Sequence, residues 1–494
     1  MVHLGIRWAL ASIVAVSSLA CGPTVGAGTE TDDGTGTTGT GTTGGPTSLD
    51  SSPYSSDDAN VADMGPEEEE ECPPGRLHCT SKLDVLVVMD NSRTMSEEQR
   101  AFARYAPEFV DDLVGLQGND GAPLKFDLQL MVTTTDVDNP LCTALQPPGY
   151  APAMGAPVST ACVDRLDDFT DLSGTINAED VCLEVCPSGA APDGPFMRFG
   201  SGDSNIPPGS DAGDVLACIV PQGINGCGYE SPLEAMRLAL DPAAPHNSGD
   251  QPFLRPDAAL AIVLVTDELD CSVADPSMMR DASLYSVNPE TGTPAPSSAI
   301  CWNAGVECDG PDAMGVYFGC ASSEEVRMHS VEGYIEYLRG DLFEGQEKDV
   351  MMLPLVGVPP VVMHDPDPPF EPVAGGEYDL WYRRWRDGVY PAGDILPDEA
   401  AQGITAADKE FDFGMGPGCI GSDDGGTIMG PAVAPTRMLE VCHGLDTVDP
   451  VDPAQVEVRC CVESICDDDY RGLGLCIQGM VIEGRPSGLG PGKG

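Results

Sequence analysis

Basic residues are scarce in this sequence of 494 residues. Lys and Arg together number 24 against 80 Asp and Glu, so the formal net charge is −56. A nucleic-acid-binding protein needs clustered cations that displace phosphate counterions, and anionic lipid surfaces attract the same kind of cluster. The charge balance therefore argues against nucleic acid as a partner and against binding to anionic headgroups. It suits a surface that meets metal cations.

The sequence also lacks any apolar run of about eighteen residues, the length typical of a membrane-spanning helix. It contains 19 cysteines but no Cys-x-x-Cys pair, and its 6 histidines form no His-Glu-x-x-His motif. Many cysteines without that spacing indicate disulfides formed in an oxidising compartment rather than zinc or thioredoxin-like chemistry. No arrangement of nucleophile and base stands out, and we expect the protein not to be an enzyme.

The N-terminus has the pattern of an export signal. Trp8–Ala20 is an apolar run that ends at Cys21, which is too short to span a bilayer but suits a signal peptide. A small residue followed by Cys resembles a bacterial lipobox, although Ser18 stands where an aliphatic residue is usual. We predict a signal peptide with lipobox over residues 1–21, lipid on Cys21 as the only membrane contact, and a place in the bacterial cell envelope, at the outer membrane or cell surface. The alternative is ordinary cleavage that leaves Cys21 free or disulfide-bonded.

A long polar segment follows. Residues 22–78 contain the Gly/Thr run Thr35–Thr43 and the acidic block Glu67–Glu71, and such a composition cannot bury enough apolar surface to fold. We predict a disordered linker over 22–78, a folded head over 79–484 and a flexible tail over 485–494.

Short apolar runs mark the strands of the head. Apolar and polar residues do not alternate along these runs, which is typical of strands buried on both faces of a parallel sheet. Between them lie sequences with helical spacing, including the possible capping box Ser96–Gln99. The predicted fold class is α/β, a doubly wound, mostly parallel, Rossmann-like sheet. The predicted strands are Leu83–Met89, Lys125–Val132, Ala258–Val265 and Val350–Val358, and the predicted later helices are Leu233–Leu240, Val326–Leu338, Thr436–Val441 and Ile465–Val481.

Three long loop-like insertions are predicted at about 137–225, 271–322 and 359–433. Each begins just after an apolar strand, so all three should meet at the carboxyl edge of the sheet, where ligands bind. The cysteines of these insertions, of their flanks and of the tail come in even sets, which allows local pairing within each set, although the sequence does not give the connectivity. The sets are Cys142, Cys162, Cys182, Cys186, Cys218 and Cys227; Cys271, Cys301, Cys308 and Cys320; and Cys419, Cys442, Cys460, Cys461, Cys466 and Cys476.

Oxygen-bearing side chains follow two of the predicted strands directly. Asp90, Ser92 and Thr94 alternate after the first strand, and Asp267 ends another. Oxygen-only ligands are the preference of Mg²⁺ or Ca²⁺, so a divalent cation is the predicted cofactor. The alternative is that Asp90 and Asp267 merely cap helices or turns.

This pattern resembles the von Willebrand factor type A domain, whose adhesion site reads Asp-x-Ser-x-Ser, then a distant Thr and a distant Asp. The resemblance covers about 82–358, and 436–482 as the last helices. Thr94 stands for the second Ser, and Asp267 matches the final Asp. Where the family has its distant Thr, Glu230 is the best match and Thr135 the next.

The resemblance implies a head that binds a protein or polysaccharide ligand at the cell surface through the cation. The metal ligands would be Asp90, Ser92, Thr94, Glu230 and Asp267, and no bond would be made or broken. Three alternatives stay open: Glu230 points outward as an exposed helix-start acid, the protein is a structural envelope protein that has lost metal binding, or it is a secreted hydrolase. The cluster Trp381–Arg386 could bind a polysaccharide or an acidic partner, or simply pack on the body.

Overall fold

The structure is a computed structural model, and it describes residues 75–484 apart from 144–145, 324, 326, 341, 343–347, 423–427 and 449–455. The predicted signal peptide with Cys21, nearly all of the predicted linker and the predicted tail lie outside the described residues. No helix among the described residues combines the length and the apolar character needed to cross a membrane.

The helices of the described residues are mostly short, apart from the 20-residue first one. They are α1 Ser96–Gly115, α2 Glu179–Val185, α3 Ala212–Ile219, α4 Pro232–Ala239, α5 Ala299–Gly305, α6 Val331–Arg339, α7 Pro397–Gln402, α8 Ala406–Phe413, α9 Thr436–His443 and α10 Gly472–Glu483.

Strands of the described residues fall into one large sheet and several hairpins. They are β1 Lys82–Met89, β2 Asp127–Thr134, β3 Met197–Gly200, β4 Ala259–Val265, β5 Ser286–Asn288, β6 Thr293–Ala295, β7 Val306–Asp309, β8 Phe318–Ser322, β9 Val350–Val356, β10 Met363–His364, β11 Pro372–Ala374, β12 Pro417–Ser422, β13 Ile428–Val433, β14 Thr447–Val448, β15 Val456–Glu457 and β16 Glu463–Ser464.

The large sheet has six strands in the order β16-β9-β4-β1-β2-β3. All neighbours run parallel except β3, which pairs antiparallel with β2 at one edge. The predicted α/β class with a mostly parallel sheet is confirmed. The four apolar runs of the sequence form β1, β2, β4 and β9, with the second strand lying two residues later than predicted.

Both faces of this sheet are covered by side chains. Val85 and Val87 of β1 belong to a core that includes residues of α1, α3 and α10. Leu86 and Val88 belong to a second core, which includes residues of α4, α6 and α9. Because side chains alternate along a strand, the apolar residues of β1 from Val85 to Met89 supply both cores at once.

Two expectations about local structure were wrong. Ser96 does not cap α1: the capping position is Met95, which makes no side-chain cap bond, and the Ser96 hydroxyl contacts Glu97 instead. The last helix begins at Gly472 rather than near Ile465, because residues 463–464 pair with β9 as the sixth strand.

The stretch 137–225 is more than a loop-like insertion. It contains β3, the antiparallel edge strand of the large sheet, and α3, which joins α1 in the first core. A strand of four residues that reads Met-Arg-Phe-Gly has no distinctive apolar run, so it is recognisable only through its pairing with β2.

Cysteine pairing within each set is confirmed. The described residues contain eight disulfides, none of which joins one predicted set to another, and Cys79 is disulfide-bonded as well. Cross-links of this kind restrict long loops that have little core of their own. The pairs are Cys142–Cys227, Cys162–Cys182, Cys186–Cys218, Cys271–Cys301, Cys308–Cys320, Cys419–Cys466, Cys442–Cys460 and Cys461–Cys476.

The strand order reverses next to β1. From β1 the chain moves to β2 and β3 on one side, and then returns to add β4, β9 and β16 on the other. Such a reversal opens a crevice at the carboxyl ends of the two central strands, here β1 and β4. Asp90 follows β1 and Asp267 lies two residues beyond β4, so both belong to this crevice.

Candidate metal centre

Asp90 is fixed between the two central strands. Its backbone N–H donates to the carbonyl of Val265 at 2.9 Å, and its side chain is fully buried. One carboxylate oxygen accepts from the backbone N–H of Ser92 at 2.7 Å, and the other accepts from the hydroxyl of Thr266 at 2.5 Å. The loop after β1 therefore folds around this carboxylate.

The predicted hydroxyl residues lie beside it. Ser92 is 2% exposed, and its Oγ is 3.2 Å from Oγ1 of Thr94. The Thr94 hydroxyl lies close enough to Asp267 to oppose part of the rise in the pKa of that carboxyl group. Thr94 is exposed, whereas Asp267 is buried. The structure thus brings Asp90, Ser92, Thr94 and Asp267 close together. Thr94 is the residue of the four that is exposed to solvent.

Glu230 approaches from a third segment, just before α4. It is fully buried, so it does not point outward as an exposed helix-start acid. Its Oε2 accepts a short hydrogen bond from the hydroxyl of Thr135, the residue next in line in the sequence prediction. The backbone carbonyl of Glu230 accepts from the N–H of Cys271 at 2.7 Å, which ties this segment to the loop after β4.

Two further acids of the site were missed by the sequence analysis. Glu98, in the first turn of α1, is 4% exposed, and Glu268 is 9% exposed. Together with Asp90, Glu230 and Asp267 they form what we call the carboxylate crevice. Glu268 is detectable in the sequence as the neighbour of Asp267, whereas Glu98 is one of two acids in the first turn of a predicted helix, a position that is ordinary for an acid.

Burial raises the pKa of every carboxyl group in the carboxylate crevice. The pKa of Asp90 rises to about 6. Burial, followed by repulsion from Asp90, raises the pKa of Asp267 to about 8. The pKa values of Glu98, Glu230 and Glu268 lie well above their usual range, first through burial and then through the charge of Asp267 or Asp90. These groups cannot all be ionised together without a compensating positive charge.

Within the described part of the chain, no Lys, Arg or His forms an ion pair with these five carboxylates. Arg93, inside the motif, has its nearest acidic partner in Asp171, at 3.9 Å, and its side chain is 59% exposed. An uncompensated group of buried carboxylates is costly in a folded protein. The compensating charge must therefore come from protons or from a bound cation.

The oxygen atoms of the crevice are of the types that bind a hard divalent cation. Oδ1 of Asp267 and Oε2 of Glu98 are buried without a hydrogen-bond partner among the described residues. Buried polar atoms are normally paired, so each such atom calls for an explanation. Carboxylate and hydroxyl oxygens are the ligand types that Mg²⁺ and Ca²⁺ prefer.

Among the described residues, one group of His, Cys, Asp or Glu side chains brings three ligand atoms within 4.8 Å of one another. It consists of His364, Glu463 and Cys476 and lies outside the carboxylate crevice. Cys476 is disulfide-bonded to Cys461, so its sulfur is not a thiolate that could bind a metal. What remains is a His–Glu pair at 2.6 Å, in which Glu463 raises the pKa of His364. The group is explained as a partly buried ion pair.

The basic and aromatic cluster Trp381–Arg386 is packed only in part. Arg383 and Arg386 both form ion pairs with the fully buried Asp394. Trp385 is 5% exposed, and Nζ of Lys409 lies 5.5 Å from the centre of its ring. Trp381 is exposed, and so are the side chains of Arg384 and Arg386. The ion pairs with Asp394 and the packing of Trp385 stabilise the loop itself.

Comparison with models of known protein families finds no match, and comparison with curated proteins finds none either. The assignment of a function therefore depends on the carboxylate crevice itself.

Proposed function

We propose that the head is a von Willebrand factor A-like module that binds a divalent cation, Mg²⁺ or Ca²⁺, at the carboxylate crevice. Asp90, Ser92, Thr94 and Asp267 would hold the cation, with Glu230 on the opposite wall. The observation that carries the proposal is the set of buried carboxylates at the strand-order reversal, which no basic side chain among the described residues neutralises.

The strand order supports the finer fold assignment. A mostly parallel sheet with cores on both faces is what a doubly wound, Rossmann-like fold requires. In this fold ligands bind at the carboxyl edge where the strand order reverses. The oxygen ligands in question follow the two strands on either side of that reversal, as the resemblance implies.

The residues have distinct tasks in this proposal. The positive charge of the bound cation would attract an oxygen atom of a partner. Asp90 and Asp267 would hold the cation in a fixed position, because both follow buried strands and have little conformational freedom to lose. Thr94 is the exposed member of the group, so a partner would approach from its side. No covalent step is involved, and we propose a binding module rather than an enzyme.

We propose further that the module works at the bacterial cell envelope, at the outer membrane or cell surface. The lipobox-like ending at Cys21 supports a lipid anchor, and the polar composition of residues 22–78 suits a spacer between that anchor and the head. A head displayed in this way suits a protein or polysaccharide partner at the cell surface.

Ligand binding should require both the cation and Asp267. The mature protein would be immobilised and tested against purified envelope polysaccharides and envelope proteins in Ca²⁺ or in chelator. We expect binding in Ca²⁺ that is lost in chelator and is reduced at least about tenfold in Asp267→Asn, because the variant removes one anchoring carboxylate.

The matched control is Asp203→Asn, which changes an exposed acid in the turn after β3 and should leave binding unchanged. Binding that persists in chelator would contradict the proposal. The proposal would also be contradicted if none of the envelope polysaccharides and proteins bound. That result would favour a structural envelope protein.

A further inference from the structure

Two exposed aromatic side chains lie opposite each other in the register of the insertions. Val316 forms an antiparallel bridge with Arg383. Two residues further along each segment, this register places Phe318, the first residue of β8, opposite Trp381. Phe318 is 53% exposed and Trp381 is 61% exposed, although large aromatic side chains normally bury most of their surface. Adjacent exposed apolar side chains are a common mark of a binding surface.

The other face of the same pairing is turned toward the body. The N–H of Tyr317 donates to the carbonyl of Tyr382 at 2.8 Å. Both of these rings lie against Trp302, whose ring centre is 6.4 Å from that of Tyr317 and 6.5 Å from that of Tyr382. Because side chains alternate along an extended chain, the next residue on each segment faces the opposite way. Phe318 and Trp381 therefore share the outward face.

The three inward rings are fixed to segments that border the carboxylate crevice. They pack in a core that includes Leu269 and Val433. Leu269 lies two residues after Asp267, and the N–H of Val433 donates to the carbonyl of Asp267 at 2.7 Å. The disulfide Cys271–Cys301 ties the loop after β4 to α5. The outward aromatic pair is therefore held on a rigid base beside the crevice.

A carboxylate lies next to the aromatic pair. β7 pairs antiparallel with β8, and their register places Asp309 directly opposite Phe318. Directly paired residues of antiparallel strands point to the same side of the sheet, so Asp309 faces outward with the rings. Its side chain is exposed. Asp309, Phe318 and Trp381 thus form a row across three segments of the chain, which we call the aromatic row.

The chemistry of the aromatic row fits a sugar better than a protein. A sugar ring has a flat C–H face that packs against an aromatic ring, and its hydroxyl groups donate hydrogen bonds to a carboxylate. The centre of a protein–protein interface is depleted of acidic residues, because burying their charge is costly. In the aromatic row, by contrast, Asp309 is paired directly with Phe318. This mixture favours a hydroxyl-rich partner.

The charge of the chain selects the kind of polysaccharide. The formal net charge is −56, and Asp309 adds a carboxylate to the aromatic row itself, so a polyanion would be repelled. The arginines of the neighbouring cluster Trp381–Arg386 do not reverse this effect, because Asp394 and Glu410 form ion pairs with them. Charge complementarity therefore favours a polysaccharide of uncharged sugars.

We propose that the aromatic row binds a polysaccharide of uncharged sugars. The C–H face of a sugar ring packs against Trp381 and Phe318, and a sugar hydroxyl donates to Asp309. The inference rests on the proposed function for the role of the cation, and it selects the polysaccharide from the two classes of partner left open there. The contacts with the two rings do not themselves involve the cation.

Affinity electrophoresis tests this inference. The full-length protein would be run in native gels that contain Ca²⁺ and dextran, mannan, xylan or a mixed-linkage β-glucan. We expect at least one of these to retard the wild type, with a dissociation constant raised about tenfold in Trp381→Ala and in Phe318→Ala, because each variant removes an aromatic anchor. Trp381→Phe keeps a ring and should retain most of the affinity. Leu183→Ala removes an exposed apolar side chain of α2 and should bind as the wild type does.

The outcomes separate this inference from the proposed function. Binding that requires Ca²⁺ but is equal in the wild type, Trp381→Ala and Phe318→Ala would overturn the aromatic row and leave the proposed function intact. Binding that persists in chelator and is weakened by Trp381→Ala would support the aromatic row and contradict the proposed function. Retardation by none of the four polysaccharides would overturn the inference. Retardation by alginate alone, or capture of an envelope protein through Trp381, would overturn the assignment to uncharged sugars.

Discussion

Asp90→Asn is expected to abolish stabilisation by divalent cations while leaving the cation-free protein as stable as the wild type or more stable. A cation present at 100 times its dissociation constant stabilises the native state by about 2.7 kcal/mol. The variant should lose this gain because Asp90 is the buried carboxylate at the centre of the motif. Thermal melting in Ca²⁺ or Mg²⁺, compared with chelator at equal ionic strength, measures both effects.

The change in stability of the cation-free protein distinguishes a metal ligand from a structural residue. In the cation-free protein, Asp90 is one of several buried carboxyl groups that raise one another's pKa, so its removal relieves repulsion. A merely structural Asp would instead destabilise the protein when replaced. Asp203→Asn should respond to cations as the wild type does. A variant that still gains stability from millimolar Ca²⁺ and Mg²⁺ would place the site elsewhere.

Asp84→Asn is expected to produce the largest loss of stability, at the opposite end of the sheet. Asp84 of β1 is fully buried, and its carboxylate accepts from the backbone N–H of Arg255 at 2.8 Å and from Nε of Arg255 at 2.7 Å. Removing one partner of a buried pair typically costs about 3–5 kcal/mol. Arg255 keeps a second ion pair with the half-buried Asp127 at 3.0 Å, so we expect a loss near the lower end of that range. Urea unfolding followed by circular dichroism would measure the loss.

Asp257→Asn provides the matched control for this second prediction. Asp257 pairs with Lys82 at 2.6 Å near the same end of the sheet, but the two side chains are 49% and 36% exposed. An exposed pair is worth at most about 1 kcal/mol, so this variant should unfold close to the wild type. If Asp84→Asn and Asp257→Asn lowered the free energy of unfolding equally, the buried Asp84–Arg255 pair would contribute no more to stability than the exposed pair does.

The central strands were predictable because each is buried on both faces. β4 appears in the sequence as an unbroken apolar run and β1 as one that Asp84 alone interrupts after Leu83. Asp90 and Asp267 could be placed because they follow these runs. The edge strands β3 and β16 could not be predicted. They are short, they contain polar residues, and only pairing with β2 and β9 makes them strands. Local propensity does not encode that pairing.

The candidate site was predictable only in part, for a similar reason. The residues of one loop, Asp90 to Thr94, are visible as a motif. Glu98 and Glu268 are ordinary acids in the sequence, and they become unusual only when tertiary packing removes them from water. Glu230 was identified from its position relative to α4, but its contact with Thr135 depends on how two distant loops meet.

The most direct test of the central claim is the position of a bound ion in a crystal of the protein soaked in Mn²⁺, located by its anomalous scattering. The proposal predicts a peak among Asp90, Ser92, Thr94 and Asp267, with carboxylate and hydroxyl oxygens as its protein ligands. Absence of a peak at the carboxylate crevice would contradict it, and so would a sole peak elsewhere, for example beside His364 and Glu463.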